Sequence, residues 1–214
     1  MIEIKNLTKS FNPDYDAICN LSHTFNDGVS VVVGSEMSGK TTLLNIISGL
    51  DLDYNGEVVI DGVERKELKN ENFAISYIMR EPVLFENKSV YDNLLYVFKV
   101  RGKRFDKVDA DSKIKKVCED LGLFGLLDKK VKRCSLFEKR MICLARAVLK
   151  NSKIILVDEP FFGLFQFEFL SLSQAMVSAT SKLSSSLIIA ENTSNMAYFD
   201  GVEILKLDFG VKVD

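Results

Sequence analysis

The sequence predicts an α/β fold: a strand-and-helix core that holds a phosphate loop, an antiparallel β part near the N-terminus, and an inserted helical lobe. Three observations predict it. The β-branched run Val29 to Val33 ends in Gly34-Ser35-Glu36-Met37-Ser38-Gly39-Lys40-Thr41 and leads into helical apolar spacing. A second apolar run, Ile154 to Val157, ends in Asp158-Glu159. Between them, about Ser89 to Asn151 reads as helix.

Each element follows in chain order. Ile2-Glu3-Ile4 begins a short strand, Ala17 to Phe25 forms another, and Val29 to Val33, ending at a glycine, is a buried strand. Leu43 to Leu50 has helical apolar spacing and stops near Gly49. Glu57 to Ile60 followed by Asp61-Gly62 is a strand and turn. Helices begin at Ser89-Val90-Tyr91-Asp92, run from Ala110 to Leu123 and again from Leu136 to Lys150. Lys153 to Asp158 is a buried strand tipped by a carboxylate, and Ser185 to Ala190 and Val202 to Leu207 are two more around a short helix. No Gly/Pro-rich linker bounds the helical stretch, so the 214 residues form a single domain with a subdomain inserted at about 85–150.

Composition narrows the function classes. Hydrophobic residues at 47% and charged residues at 27% describe a folded chain. A formal charge of -2 supplies no positive field for nucleic acid, so no nucleic-acid partner is expected. No apolar run approaches the ~18 residues that span a bilayer, and Met1-Ile2-Glu3-Ile4-Lys5 lacks the pattern of a signal peptide. Cys19, Cys118, Cys134 and Cys143 form no C-x-x-C pair, and His23 is the single histidine, which disfavours a zinc cluster. The thiols read as reduced packing residues, most of them buried, and His23, on an alternating strand, has no assigned role.

Gly34 to Thr41 matches G-x-x-x-x-G-K-[ST], a pattern expected by chance about once in a hundred chains of this length. The loop amides and the helix start behind them form an anion cradle. Gly34, Ser35, Glu36, Met37, Ser38, Gly39, Lys40, Thr41 and Thr42 are the candidate nucleotide contacts. Lys40 supplies charge to the β- and γ-phosphates, and the Thr41 hydroxyl can ligate Mg²⁺. Asp158, at a strand tip that opens into the ligand crevice of an α/β sheet, is the second candidate Mg²⁺ ligand. Glu159 is the candidate catalytic residue, placed to orient or deprotonate water.

Here the chain resembles the nucleotide-binding subunit of the ATP-binding cassette (ABC) family over nearly its whole length. The resemblance rests on Leu7-Thr8-Lys9-Ser10-Phe11, the P-loop, Ser48-Gly49-Leu50, Asn55-Gly56-Glu57-Val58, Ile60-Asp61-Gly62, Glu81-Pro82-Val83-Leu84-Phe85, Val90-Tyr91-Asp92-Asn93-Leu94, Leu144 to Leu149 and Asp158-Glu159-Pro160, in that order. It implies a P-loop NTPase core of ABC ATPase type, ATP and Mg²⁺ as cofactors, and Phe11 stacked on adenine. It also implies a second nucleotide-binding subunit as partner, with separate membrane-spanning subunits. Through these the chain would sit in the cytoplasm, peripheral on the inner face of the cell membrane.

The departures from that family are equally specific. Its Leu-Ser-Gly-Gly-Gln signature falls at Cys134-Ser135-Leu136-Phe137-Glu138, where only Ser135 matches. Leu136 and Phe137 add bulk where glycine amides approach a phosphate, and Glu138 adds negative charge. Arg80, Phe165 and Glu191 stand where the family has glutamine, aspartate and histidine, and Glu36 and Met37 replace a small polar residue and a glycine. These changes imply Mg·ATP held but hydrolysed weakly. The rival is a pseudo-ATPase, a structural or regulatory partner in a heterodimer; a small-molecule kinase lacks any acceptor or lid signal. Arg80 is expected to pair with Glu191 or to face developing charge, against a background expectation of drift. Phe161, Phe162, Phe165, Phe167 and Phe169 read equally as core or as an apolar association surface. The basic clusters 101–104 and 129–133 read as solvated lobe surface.

Overall fold

A computed structural model describes residues 1–12, 15–68, 75–100, 105–192 and 201–213. Strand alternation builds the first sheet from β1 (Ile2–Asn12), β2 (Tyr15–Phe25), β4 (Asn55–Ile60) and β5 (Val63–Glu64), all antiparallel in the order β2-β1-β4-β5. On β1, Ile2 and Ile4 face inward, and the pairing with β2 then shifts register before Leu7. Asn6 takes φ 50 at that bulge, which returns Leu7 to the buried face.

The second sheet is mostly parallel. Its order is β10 (Val211–Val213), β9 (Glu203–Asp208), β3 (Val29–Val33), β8 (Ser186–Glu191), β7 (Ile154–Asp158) and β6 (Ile75–Ile78), with only β10 antiparallel to its neighbour. Strand β7 is buried on both faces, as the continuous run Ile154 to Val157 requires. Ile154 and Leu156 pack with α1 (Lys40–Ser48) and the antiparallel sheet, whereas Ile155 and Val157 pack toward the helices. Those helices are α2 (Val90–Lys99), α3 (Lys107–Asp120), α4 (Leu136–Leu149) and α5 (Gln166–Leu183). Capping boxes start α2, from Ser89 and Asp92, and α4, from Ser135 and Glu138.

Four strands and helices escaped the sequence reading: the short strands β5, β6 and β10 and the 18-residue helix α5. The cluster 101–104 and the short helix expected between the last two long strands, at 193–200, fall outside the described residues. Of the cysteines, Cys118 is buried, Cys134 and Cys143 are half-buried, and Cys19 is exposed on β2, so burial of the thiols is less complete than expected. Burial pushes the Cys118 and Cys143 thiols up to about 11, which keeps them inert.

His23 lies edge-on to Phe25, its ring nitrogen 3.5 Å from Glu203 and without a hydrogen-bond partner among the described residues. Burial holds its imidazole below the ordinary value; Glu203 opposes that shift and Lys212 adds to it. A base depressed in the folded state binds fewer protons there than when unfolded. Stability is therefore expected to fall as pH drops through 6.5 toward the folded value. Urea midpoints at pH 7 and pH 5 should separate less in His23→Leu than in the native chain.

Candidate functional site

Three strand tips meet at the carboxyl end of the parallel sheet. In the register, Val33 pairs with Glu191 and Ala190 with Asp158, so the loop after β3 faces the acids of β7 and β8. Gly34 to Gly39 connect β3 to α1, and Gly39 takes φ 95, with a Cβ there falling 2.4 Å from the Ala17 carbonyl. Only glycine fits that turn. Helix α1 has no side-chain cap and no acid in its first turn, unlike α2 and α4. Its free N–H groups and positive dipole end therefore open into the cleft.

The Lys40 ammonium, 4% exposed, donates to the Gly34 and Ser35 carbonyls at 2.7 Å and to Ser38 Oγ at 3.4 Å. Burial pulls it below the ordinary lysine value, opposed by Glu159, Asp158, Glu191 and Glu36. Of these, Glu159 Oε1 lies 3.9 Å from the ammonium. The Thr41 hydroxyl donates to Asp158 Oδ2 at 2.8 Å, and the Tyr77 hydroxyl reaches the same oxygen at 3.3 Å. Burial pushes Asp158 above the ordinary carboxyl value, with the Glu159 charge adding to the rise and the two hydroxyls and Lys40 opposing it.

Asp158 Oδ1 is buried and has no hydrogen-bond partner among the described residues. A buried carboxylate oxygen left empty beside a threonine hydroxyl fits a hard divalent cation. Among the described residues no three His, Cys, Asp or Glu side chains cluster to hold a metal alone. The donor set thus suits a metal whose remaining ligands come from a bound phosphate and water.

A cleft of about 500 Å³ joins most of the sequence candidates, lined by Phe11, the loop residues 36–42, Arg80 and Glu159. Phe11 stands at its mouth, 63% exposed, with Lys9 Nζ 5.0 Å from the ring centroid. Ser35 contributes its carbonyl to Lys40 beneath the loop. Met37 adopts φ 64, a left-handed conformation that a β-carbon makes strained by about 1–2 kcal/mol. Two participants were missed by the sequence reading. Tyr77 sits on the short strand β6, and Arg140, 2% exposed, lies beneath the cleft on α4.

The altered positions fall as follows. Arg80 Nη1 contacts Glu159 Oε2 at 3.1 Å, so its observed ion pair is with Glu159 and not the expected Glu191. Glu191 is buried at the end of β8, where its Oε1 accepts from Asn192 N. Glu138 does not project as a free charge. It closes the capping box with the Ser135 amide at 2.7 Å and pairs with Lys129 at 2.8 Å. Phe161 and Phe169 enter the core, whereas Phe162, Phe165 and Phe167 are exposed, so the five rings divide between both readings. Lys132 and Arg133 of the second basic cluster are solvated.

A phosphate loop at a parallel strand tip, a carboxylate on a neighbouring strand and helices inserted between them define a P-loop α/β domain. The ABC transporter family model matches residues 18–162, and the chain belongs to that family. The tungstate uptake system ATP-binding protein TupC of Peptoclostridium acidaminophilum is 29% identical over 197 residues, 92% of this chain and 89% of that protein. The molybdate/tungstate import ATP-binding protein WtpC of Methanocaldococcus jannaschii is 31% identical over 75% of this chain, which spans 52% of that relative. Two further relatives are matched over 38% and 43% of their own length. The fold agrees with cbiO1 from Clostridium perfringens at TM-score 0.86 and 18% identity, covering 100% of this chain and 86% of that one. It also agrees with the dimeric cassette MJ0796 bound to ADP and Pi at TM-score 0.84 and 23% identity, covering 98% and 95%. Among the described residues no helix is long and apolar enough to cross a membrane.

Proposed function

We propose that this chain is the ATP-binding, energy-coupling subunit of an ABC importer, one that holds Mg·ATP and turns it over slowly. The observation that carries the reading is the empty Asp158 Oδ1, buried beside Thr41 at the base of the loop cleft. The loop amides, Lys40 and Thr42 would bind the phosphates, and Phe11 would stack on adenine. Thr41 and Asp158 would hold Mg²⁺, which when bound neutralises phosphate charge. Glu159 would orient the attacking water and accept its proton. Import is favoured because the relatives above carry uptake or import names.

Weak turnover is supported by the signature position. Leu136 and Phe137 replace two glycines, and the Ser135 amide already donates to Glu138. That half-site offers a partner's nucleotide few donors. The cassette would pair with a second one through the face bearing Phe162, Phe165 and Phe167, and dock on membrane subunits from the cytoplasmic side. The single-domain layout with helices inserted at about 85–150 belongs to the same reading. A pseudo-ATPase role within a heterodimer is the second reading, favoured by the same signature and by Glu191 in place of histidine.

Titration calorimetry with ATP tests the proposal. Magnesium-dependent binding is expected, weakened at least tenfold (~1.4 kcal/mol) in Lys40→Ala. Glu159→Gln should keep that binding and lose whatever turnover the native chain shows. Heat that ignores both magnesium and Lys40 would sink the reading, and binding without any native turnover would select the pseudo-ATPase.

A further inference from the structure

Arg80 makes the shorter of two cation contacts to the candidate base, and the structure surrounds it with its own supports. Its guanidinium lies over the Phe162 ring, 3.8 Å from the centroid, while Nη1 meets Glu159 Oε2 at 3.1 Å. Arginine suits both contacts at once, because its flat cation stacks on an aromatic face and forks toward a carboxylate. The buried Arg140 of α4 donates from Nη1 to the Phe162 carbonyl at 2.7 Å and from Nη2 to the Arg80 carbonyl at 3.4 Å. One interior residue therefore holds the backbone of both the ring and the cation.

Glu159 is equally fixed. Its φ is 41, its N–H donates to the Ala190 carbonyl at 2.8 Å, and its carbonyl accepts from Phe162 N at 3.2 Å. With Oε2 on Arg80 and Oε1 3.9 Å from Lys40, both carboxylate oxygens face cations. A carboxylate oxygen engaged with an arginine must give up that contact before it can accept a proton from water.

We propose that Arg80, seated on Phe162, is a latch that holds Glu159 in an unreactive ion pair, so that the cassette retains Mg·ATP without rapid hydrolysis. This rests on the nucleotide reading above. Arg80 and Phe162 act as positioning residues through Glu159, and the latch stays closed when nucleotide binds.

The test combines binding, turnover and a spectroscopic signature in the full chain. In nucleotide-free protein the Arg80 guanidinium ¹H–¹⁵N signal, assigned by its loss in Arg80→Gln, should carry a ring-current shift and slow side-chain exchange. Both features should relax in Phe162→Leu and in Glu159→Gln, and both should persist when Mg·ATP is added. Arg80→Gln should turn over ATP at least tenfold faster with Kd for ATP within twofold of native, and Arg80→Lys should fall between them. The latch is overturned by a signal indifferent to Phe162 and Glu159, by its release on addition of Mg·ATP, or by unchanged turnover in Arg80→Gln. It is overturned as well if Arg80→Gln weakens ATP tenfold while sparing ADP, which would make Arg80 a phosphate ligand. Loss of magnesium-dependent heat in the native chain fails the nucleotide reading instead, and the nucleotide-free signal still decides whether the ion pair exists. Phe162 is 53% exposed, and thermal scans of each variant separate misfolding from release of the latch.

Discussion

Replacing Arg65 with methionine is expected to lower the unfolding free energy by about 3–5 kcal/mol, because three backbone carbonyls lose a charged donor. Arg65 is 1% exposed and follows β5. Its Nε donates to the Ile47 carbonyl at 2.9 Å, Nη2 to Ser48 at 2.6 Å and Nη1 to Leu68 at 3.1 Å. The first two acceptors belong to the last turn of α1, which has no basic residue of its own there. Those carbonyls have no partner within the helix, and a cation at this end also complements the dipole. Methionine keeps most of the stem volume, so the loss reports the donors and not a cavity.

The same contact explains Gly49. It caps α1 at φ 80, and a Cβ built on it would stand 1.6 Å from Arg65 Nη2. Glycine is required both by the backbone and by the arginine above it. Urea unfolding followed by far-UV circular dichroism checks the prediction, with an unchanged m-value showing that the two-state reference is intact. A loss below about 1 kcal/mol would mean that water replaces the guanidinium at the helix end. Against a total of about 5–15 kcal/mol, the expected loss leaves a chain only marginally folded.

What the sequence made legible was what is local. The phosphate loop is contiguous, and Asp158-Glu159 follows its strand directly, so residue order alone places both at strand tips. Pairings that depend on strand order were not legible. Arg80 follows β6, which lies beside β7, whereas Glu191 ends β8, one strand further across the sheet. Adjacency therefore hands Arg80 to Glu159. Tyr77 was missed because β6 has only four residues and no clean alternation. Helix α5 was hidden for a different reason. Its buried positions Phe169, Leu172, Met176 and Ala179 keep a helical period, but exposed Phe167, Leu170 and Val177 blur the stripe. Glu138 looked like a charge aimed at phosphate because nothing in the sequence says that Lys129 will meet it.

Asp158→Asn is expected to act in opposite directions on stability and on function. In the nucleotide-free chain the carboxylate is 5% exposed, and one of its oxygens has no hydrogen-bond partner among the described residues. Its folded value is raised above 3.8, so the stability it contributes is complete below 3.8 and lost as pH rises through the folded value. Above that value the ionised group is thus a net burden on the fold. An amide of the same shape can still meet the Thr41 and Tyr77 hydroxyls without burying a charge. Removing a buried charge with one oxygen unpartnered should stabilise the nucleotide-free protein by about 1–2 kcal/mol. The function pays the difference. Native protein at a Mg·ATP concentration a hundredfold above Kd should gain about 2.7 kcal/mol, whereas the variant should gain almost nothing. Thermal melts with and without Mg·ATP therefore ought to cross: the variant melts higher alone, the native chain higher when loaded. A variant that melts lower in both states would show that Asp158 is a structural acid held by its hydroxyl partners. One that responds to Mg·ATP like the native chain would move the metal elsewhere. Crossing curves would mean that this strand tip is kept less stable than it need be because a cation completes it.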